Sequence, residues 1–160
     1  MTEIEIEDDR WLVAVPDLLK RVDTAVTAAL KAADAPEGAD LVVLLTDNAE
    51  MQSLNAEYRD KDKPTNVLSF PAPDLQIPGQ PPHLGDMALG YEICAQEATE
   101  QGKTLVAHLS HLVVHGTLHL LGYDHLDDTE AEKMESLERK ILEGLGFPDP
   151  YRHDETHAER

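Results

Sequence analysis

Cysteine is nearly absent from this chain: Cys94 is the single one among 160 residues. That excludes an intrachain disulfide and a cluster of thiolate ligands, and it makes the cytosol the expected compartment. No apolar run approaches the ~20 residues of a membrane span. Residues 1–9 carry five acids and no base, the opposite of a signal or transit peptide. Bases are few, 13 against 32 acids, and the net charge of −19 argues against a general nucleic-acid binder. A further absence is local. Residues 101–123 hold no carboxylate at all, whereas Arg59, Lys61 and Lys63 gather three of the bases within five positions. The acid elsewhere reads as a solvated surface or as a face for docking a partner.

The chain is long enough, and at 41 % hydrophobic content apolar enough, to fold around one core. A single domain over 1–150 with a polar tail at 151–160 is expected. Ile4–Ile6 alternates as a strand does. A helix is predicted after Pro16-Asp17, carried by Leu18, Val22, Ala25, Val26, Ala29 and Leu30 and stopped at Pro36-Glu37-Gly38. Leu41–Leu45 reads as a buried strand. Asp47 with Glu50 resembles a capping box opening a helix through Met51, Leu54 and Tyr58. Asn66–Phe70 reads as a strand, Pro71–His83 as a proline-rich loop, and Asp86–Ile93 as another strand. A helix apolar nearly all round, hence buried, is predicted over 104–121. A last amphipathic helix through Met134, Leu137, Ile141 and Leu142 is predicted to be capped by Thr129 and Glu132. No internal repeat is visible. The expected fold is α+β: a small mixed sheet of about four strands with helices packed on it, one of them a zincin-like metal helix.

Six of the eight histidines lie between His83 and His125. His115 and His119 stand four apart, about 40° round a helix and roughly 6 Å along it, so both rings can reach one ion. Gly122 suits a left-handed exit from the helix that could bring His125 onto the same ion. Three histidines leave one position open, the arrangement of catalytic zinc. His111 is a rival ligand by spacing. However, 111, 115 and 119 span about 12 Å of helix, too far for bonds of ~2.0–2.1 Å to one ion. His111 or His108 is therefore expected to support the site or line its cleft, and Asp124 to be an orienting or a turn residue.

The spacing H-x-x-x-H-x-x-G-x-x-H is that of metzincin proteases, whose glutamate after the first histidine acts as general base. Here that position is Gly116, and the nearest acid downstream is Asp124. The reading is that glycine leaves a bare backbone facing the metal, with room for a larger substrate. A phosphodiester fits a metal without such a base, because an arginine can clamp phosphate and stabilise the added charge of the transition state. Arg59 ends a helix and heads the base-rich loop. On composition alone it reads as a surface residue paired with Asp60 or Asp62.

The run His115-Gly-Thr-Leu-His119-Leu-Leu-Gly-Tyr-Asp-His125 resembles the signature of the YbeY family of bacterial single-strand endoribonucleases of ribosomal RNA maturation. The blocks Leu54–Arg59, Lys63–Pro71 and Leu84-Gly85-Asp86 are similar to others of that family. The resemblance implies His115, His119 and His125 as ligands of one Zn2+ per chain, nickel also suiting imidazole, and Arg59 as the catalytic arginine. It implies processing of the 3′ end of small-subunit (16S) ribosomal RNA and a role in ribosome quality control. The expected partners are single-stranded ribosomal RNA and the small subunit with its proteins, and not DNA or a membrane. Two other functions stay open on the residues: a metallopeptidase-like hydrolase, and a non-catalytic assembly factor that zinc stabilises.

Overall fold

A computed structural model describes residues 2–73, 82–124 and 126–151. The order of elements is β1 (Thr2–Ile6), α1 (Arg10–Ala14), α2 (Leu18–Ala32), β2 (Asp40–Thr46), α3 (Asn48–Arg59), β3 (Val67–Pro71), β4 (His83–Gly90), α4 (Tyr91–Glu100), α5 (Leu105–Leu120) and α6 (Asp128–Gly144). The strands form one mixed sheet in the order β1-β2-β4-β3. β1 pairs parallel with β2 and β2 parallel with β4, while β3 runs antiparallel to β4 and is an edge. The α+β class expected from the sequence is the fold observed.

Period-two alternation divides the sheet residues between two cores. Leu41, Val43 and Leu45 of β2 and Met87 and Leu89 of β4 face α2 and α5, in the main core. Leu44, Leu68 and Ala88 turn to the opposite face, where Met51 and Leu54 of α3 cover them. α5 is central, packing against α2, α4, α6, β3 and β4. Leu109, Leu112, Val113, Val114, Leu118 and Leu120 are all buried, as expected for a helix apolar on most sides. Thr104 caps it, its side chain accepting from the Ala107 amide at 3.1 Å.

Three boundaries depart from the sequence reading. The strand predicted over 86–93 ends at Gly90, and Tyr91 begins a helix. The apolar spacing changes there from two to Tyr91, Cys94 and Ala98, with Cys94 and Ala98 buried. The short helix α1 was not expected; it exists to bury Trp11, whose Nε1–H donates to the Thr46 carbonyl at 3.0 Å. α6 is capped two residues earlier than predicted, by Asp127, which accepts from the Glu130 amide at 2.8 Å. The cap expected at Asp47 is present, accepting from Glu50 at 2.9 Å. Among the described residues no helix is long and apolar enough to cross a membrane.

Candidate metal centre

His115 and His119 lie one turn apart on α5, with ring centroids 4.5 Å apart and nearly perpendicular planes. Their Nε2 atoms face each other at 3.0 Å. Two ring nitrogens stand that close only when they share a proton or a cation. Two nitrogens at ~2.0–2.1 Å from a tetrahedral zinc are about 3.3 Å apart, so the observed spacing fits such an ion closely. His125, the third expected ligand, lies outside the described residues.

The far side of the His115 ring meets a residue that the sequence reading missed. Glu138 of α6 is completely buried, and its Oε1 lies 3.0 Å from His115 Nδ1 and 3.3 Å from His111 Nε2. The Tyr151 hydroxyl donates to the same carboxylate at 2.7–2.8 Å. A carboxylate is only an acceptor, so Nδ1 of His115 carries a proton here and its lone pair sits on Nε2, toward His119. Burial pushes the Glu138 carboxyl up, but hydrogen bonds from His111 and His115 outweigh it and hold the group down at about 2. Burial also lowers the His111 ring, against the pull of Glu138. Burial first, and the charge of Glu138 second, raise the Tyr151 phenol. The signal for Glu138 was present in the sequence: it interrupts the apolar stripe of α6 formed by Met134, Ile141 and Leu142.

His111, His115 and Glu138 offer ligand atoms all within 4.8 Å of one another, so this group could itself hold a metal ion. His108 is farther along the same side and bonds instead to Glu97 at 3.0 Å, which also accepts from Asn66 Nδ2 at 3.0 Å. A cavity of about 260 Å3 is bordered by Asn66, His108, His111, His115 and Tyr151.

Gly116 does not face the rings. It is buried against the sheet, and a Cβ added there would come within 2.9 Å of Met87 Sδ and 3.3 Å of Ser69 Oγ. The bare backbone expected to open onto the metal instead lets α5 lie close on β3 and β4. One residue's step along a helix turns ~100°, which is why the glycine and its neighbour His115 look in different directions.

Arg59 reaches the same place from the other face of the sheet. Its Nη2 donates to the Ser69 carbonyl at 2.9 Å, while Ser69 Oγ donates to the Gly116 carbonyl at 3.3 Å. One residue of β3 thus joins the guanidinium to the metal helix. Among the described residues Arg59 makes no ion pair with Asp60 or Asp62. Asp60 turns the chain in the left-handed region, and Asp62 accepts from Gln52. Asn55 Nδ2, bonded to the Lys63 carbonyl at 2.9 Å, pins the loop that follows. Beyond Arg59 a cavity of about 570 Å3 opens on the α3 face, walled by Leu44, Leu54, Tyr58 and Phe70.

The outer edge of β3 is partly capped. Asn66 and Ala72 bond inward to β4, so by antiparallel alternation Val67, Ser69 and Pro71 turn their backbones outward. Of these groups, the Val67 amide is capped by Asn66 Oδ1, the Ser69 carbonyl by Arg59, and Pro71 has no N–H.

Residues 3–146 match the family model described as Endoribonuclease YbeY. Endoribonuclease YbeY of Chelativorans sp. (strain BNC1) is 60 % identical over 131 residues, covering 81 % of this chain and 80 % of that protein. The protein of the same name from Paramagnetospirillum magneticum is 50 % identical over 153 residues, covering 92 % and 93 %. The solution structure of TM1509 from Thermotoga maritima is similar with a TM-score of 0.60 at 26 % identity, over 89 % of this chain and 87 % of that one. With residues 3–146 matched, this chain belongs to the YbeY endoribonuclease family.

Proposed function

We propose that this protein is a zinc-dependent endoribonuclease specific for single strands, which processes the 3′ end of 16S ribosomal RNA and serves ribosome maturation and quality control in the cytoplasm. Within the family established above, the observation that carries the reading is the meeting of Arg59 and the metal helix on Ser69. His115 and His119 would hold the ion through Nε2, with His125 as third ligand and a fourth position open. The alternative group of His111, His115 and Glu138 is less suited to an open site, because its carboxylate is sealed from solvent and already engaged by Tyr151. Bound at the Nε2 side, zinc would polarise a phosphoryl oxygen or acidify a water.

The remaining work belongs to the chain. Arg59 spends one Nη2 hydrogen on Ser69, which aims the guanidinium, and its other N–H donors can clamp a phosphate oxygen pair. Its charge is permanent, so it stabilises the extra negative charge of the transition state at any working pH. The stretch 101–123 brings no carboxylate of its own to the site; those beside it, Glu97 and Glu138, are each engaged by its histidines. Peptide hydrolysis is disfavoured twice over: Gly116 supplies no base, and Met87 and Ser69 fill the space a side chain would need. The −19 charge is consistent with the small subunit and its proteins delivering the RNA.

The test is Arg59→Glu beside His119→Ala, assayed on single-stranded RNA and on DNA of the same sequence, with zinc content measured for each. Arg59→Glu is expected to retain zinc and lose cleavage by at least ~100-fold; His119→Ala is expected to lose both. DNA is expected to stay intact. Full RNA cleavage by Arg59→Glu removes the arginine from the mechanism, and casein cleavage by the wild type revives the peptidase reading.

A further inference from the structure

We infer that Glu138 is a positioning residue of the metal centre: it holds His115 by Nδ1 so that Nε2 is presented to the ion, and Tyr151 and His111 hold Glu138 in turn. The inference rests on the proposed binding of zinc through Nε2 of His115 and His119. A buried carboxylate on an apolar helix face is expensive unless its partners are worth more than packing. Met134, Ile141 and Leu142 surround Glu138 on that face, where a leucine would ordinarily sit. Every polar contact of Glu138 instead leads toward the site: His115 at 3.0 and 3.4 Å, His111 at 3.3 Å and Tyr151 at 2.7 and 2.8 Å. Fixing the proton on Nδ1 selects the one tautomer of His115 that can ligate through Nε2, and the carboxylate makes that nitrogen more basic.

Tyr151 is itself held in place. Its ring lies edge-on to His111 at 5.5 Å, and the Arg139 guanidinium stands 5.1 Å from the ring centre. Arg139 also pairs with Asp149 at 3.3 Å, which ties the segment after α6 back onto that helix. His111 therefore has a task that spacing on α5 does not reveal. It is the second histidine on the carboxylate, its Nε2 lying 3.3 Å from the same oxygen that His115 Nδ1 meets at 3.0 Å.

The experiment uses the full chain and zinc alone. Affinity is read by competition with a chromophoric chelator, and the tautomer of His115 by long-range 1H–15N correlation in zinc-free protein. Glu138→Gln is expected to bind one zinc 10- to 100-fold more weakly, with the Nδ1–H tautomer of His115 no longer dominant. Tyr151→Phe, which removes one hydroxyl and folds more safely, is expected to weaken zinc roughly two- to ten-fold, the worth of one hydrogen bond. Affinity within twofold of wild type in both variants, with the tautomer unchanged, overturns the inference. So does X-ray absorption of the zinc-loaded wild type showing a carboxylate ligand that Glu138→Gln removes. Failure of the underlying site is recognised separately, by His119→Ala binding zinc as tightly as wild type.

Discussion

Gly116 offers the sharpest test of how the metal helix is seated. An alanine there gains about 1 kcal/mol of helix propensity over glycine. Its Cβ, however, would stand 2.9 Å from Met87 Sδ and 3.1 Å from Met87 Cε, in a core where Met87 is fully buried. Overpacking of this kind costs about 1–3 kcal/mol, so the net expectation is a loss of about 0–2 kcal/mol. Met87 is the closer of the two neighbours, Ser69 Oγ standing at 3.3 Å, so a double-mutant cycle isolates the methionine's share. Met87→Ala alone should cost about 2–5 kcal/mol for its cavity. In that background Gly116→Ala should become stabilising by up to about 1 kcal/mol, the propensity gain less what the remaining Ser69 contact costs. The coupling of about 1–3 kcal/mol is measured from urea midpoints at constant m. If Gly116→Ala costs the same with methionine or alanine at 87, the close approach of α5 to β4 is not what excludes a side chain. The explanation for the missing protease base then fails with it.

Zinc should act on folding as well as on catalysis. With free zinc at 100 times Kd the wild type should gain ~2.7 kcal/mol, a rise of roughly 5–11 °C in Tm for a domain of this size. A calorimetric scan of His119→Ala showing the same rise would move the ion elsewhere. A milder pH effect is expected at the start of β4. The Asp40 carboxylate, 2.6 Å from His83 Nδ1, raises the pKa of that ring above 6.5, with Asp86 adding to it. A raised folded pKa means stability that is present in full below the unfolded pKa and is lost as pH climbs through the folded one. The stability advantage of wild type over His83→Gln should accordingly exist at pH 6 and vanish at pH 9. It should stay well under ~1 kcal/mol, since the pair is half-exposed. An advantage that grows with pH contradicts the assignment.

Much of the fold was legible because its longest elements bury one clear pattern. The apolar run of β2, the cap at Asp47 and the stripes of α2 and α6 all announce themselves locally. α4 does not, since the alternation of 86–90 carries on smoothly into Tyr91-Glu92-Ile93 and the helical spacing shows only farther on, at Cys94 and Ala98. The same division runs through the site. The pair His115 and His119 follows from spacing on one helix, and the pairing on Nε2 agrees with it. Glu138 reaches His115 only through the docking of α6 on α5, a tertiary event, although its place among Met134, Ile141 and Leu142 marks it in retrospect. The absence of a carboxylate at 116 was readable, whereas the direction in which that position looks was not. Arg59 gained its significance from the resemblance alone; the contact with Ser69, which composition could not show, gives the position of its guanidinium.

The seat of Tyr151 on Glu138 bears on when the protein becomes active during its own manufacture. A chain is synthesised from its amino end, so α5 emerges with His115 and His119 well before α6 and the segment that carries Tyr151. Until codon 138 has been read the His115 ring lacks its carboxylate, and until codon 151 that carboxylate lacks the hydroxyl that holds it. An interrupted translation product ending inside α6 would keep the histidine signature yet hold zinc poorly. On the proposed reading, an enzyme that cuts the RNA of the machine producing it would then be armed only once the segment beyond α6 has joined α5.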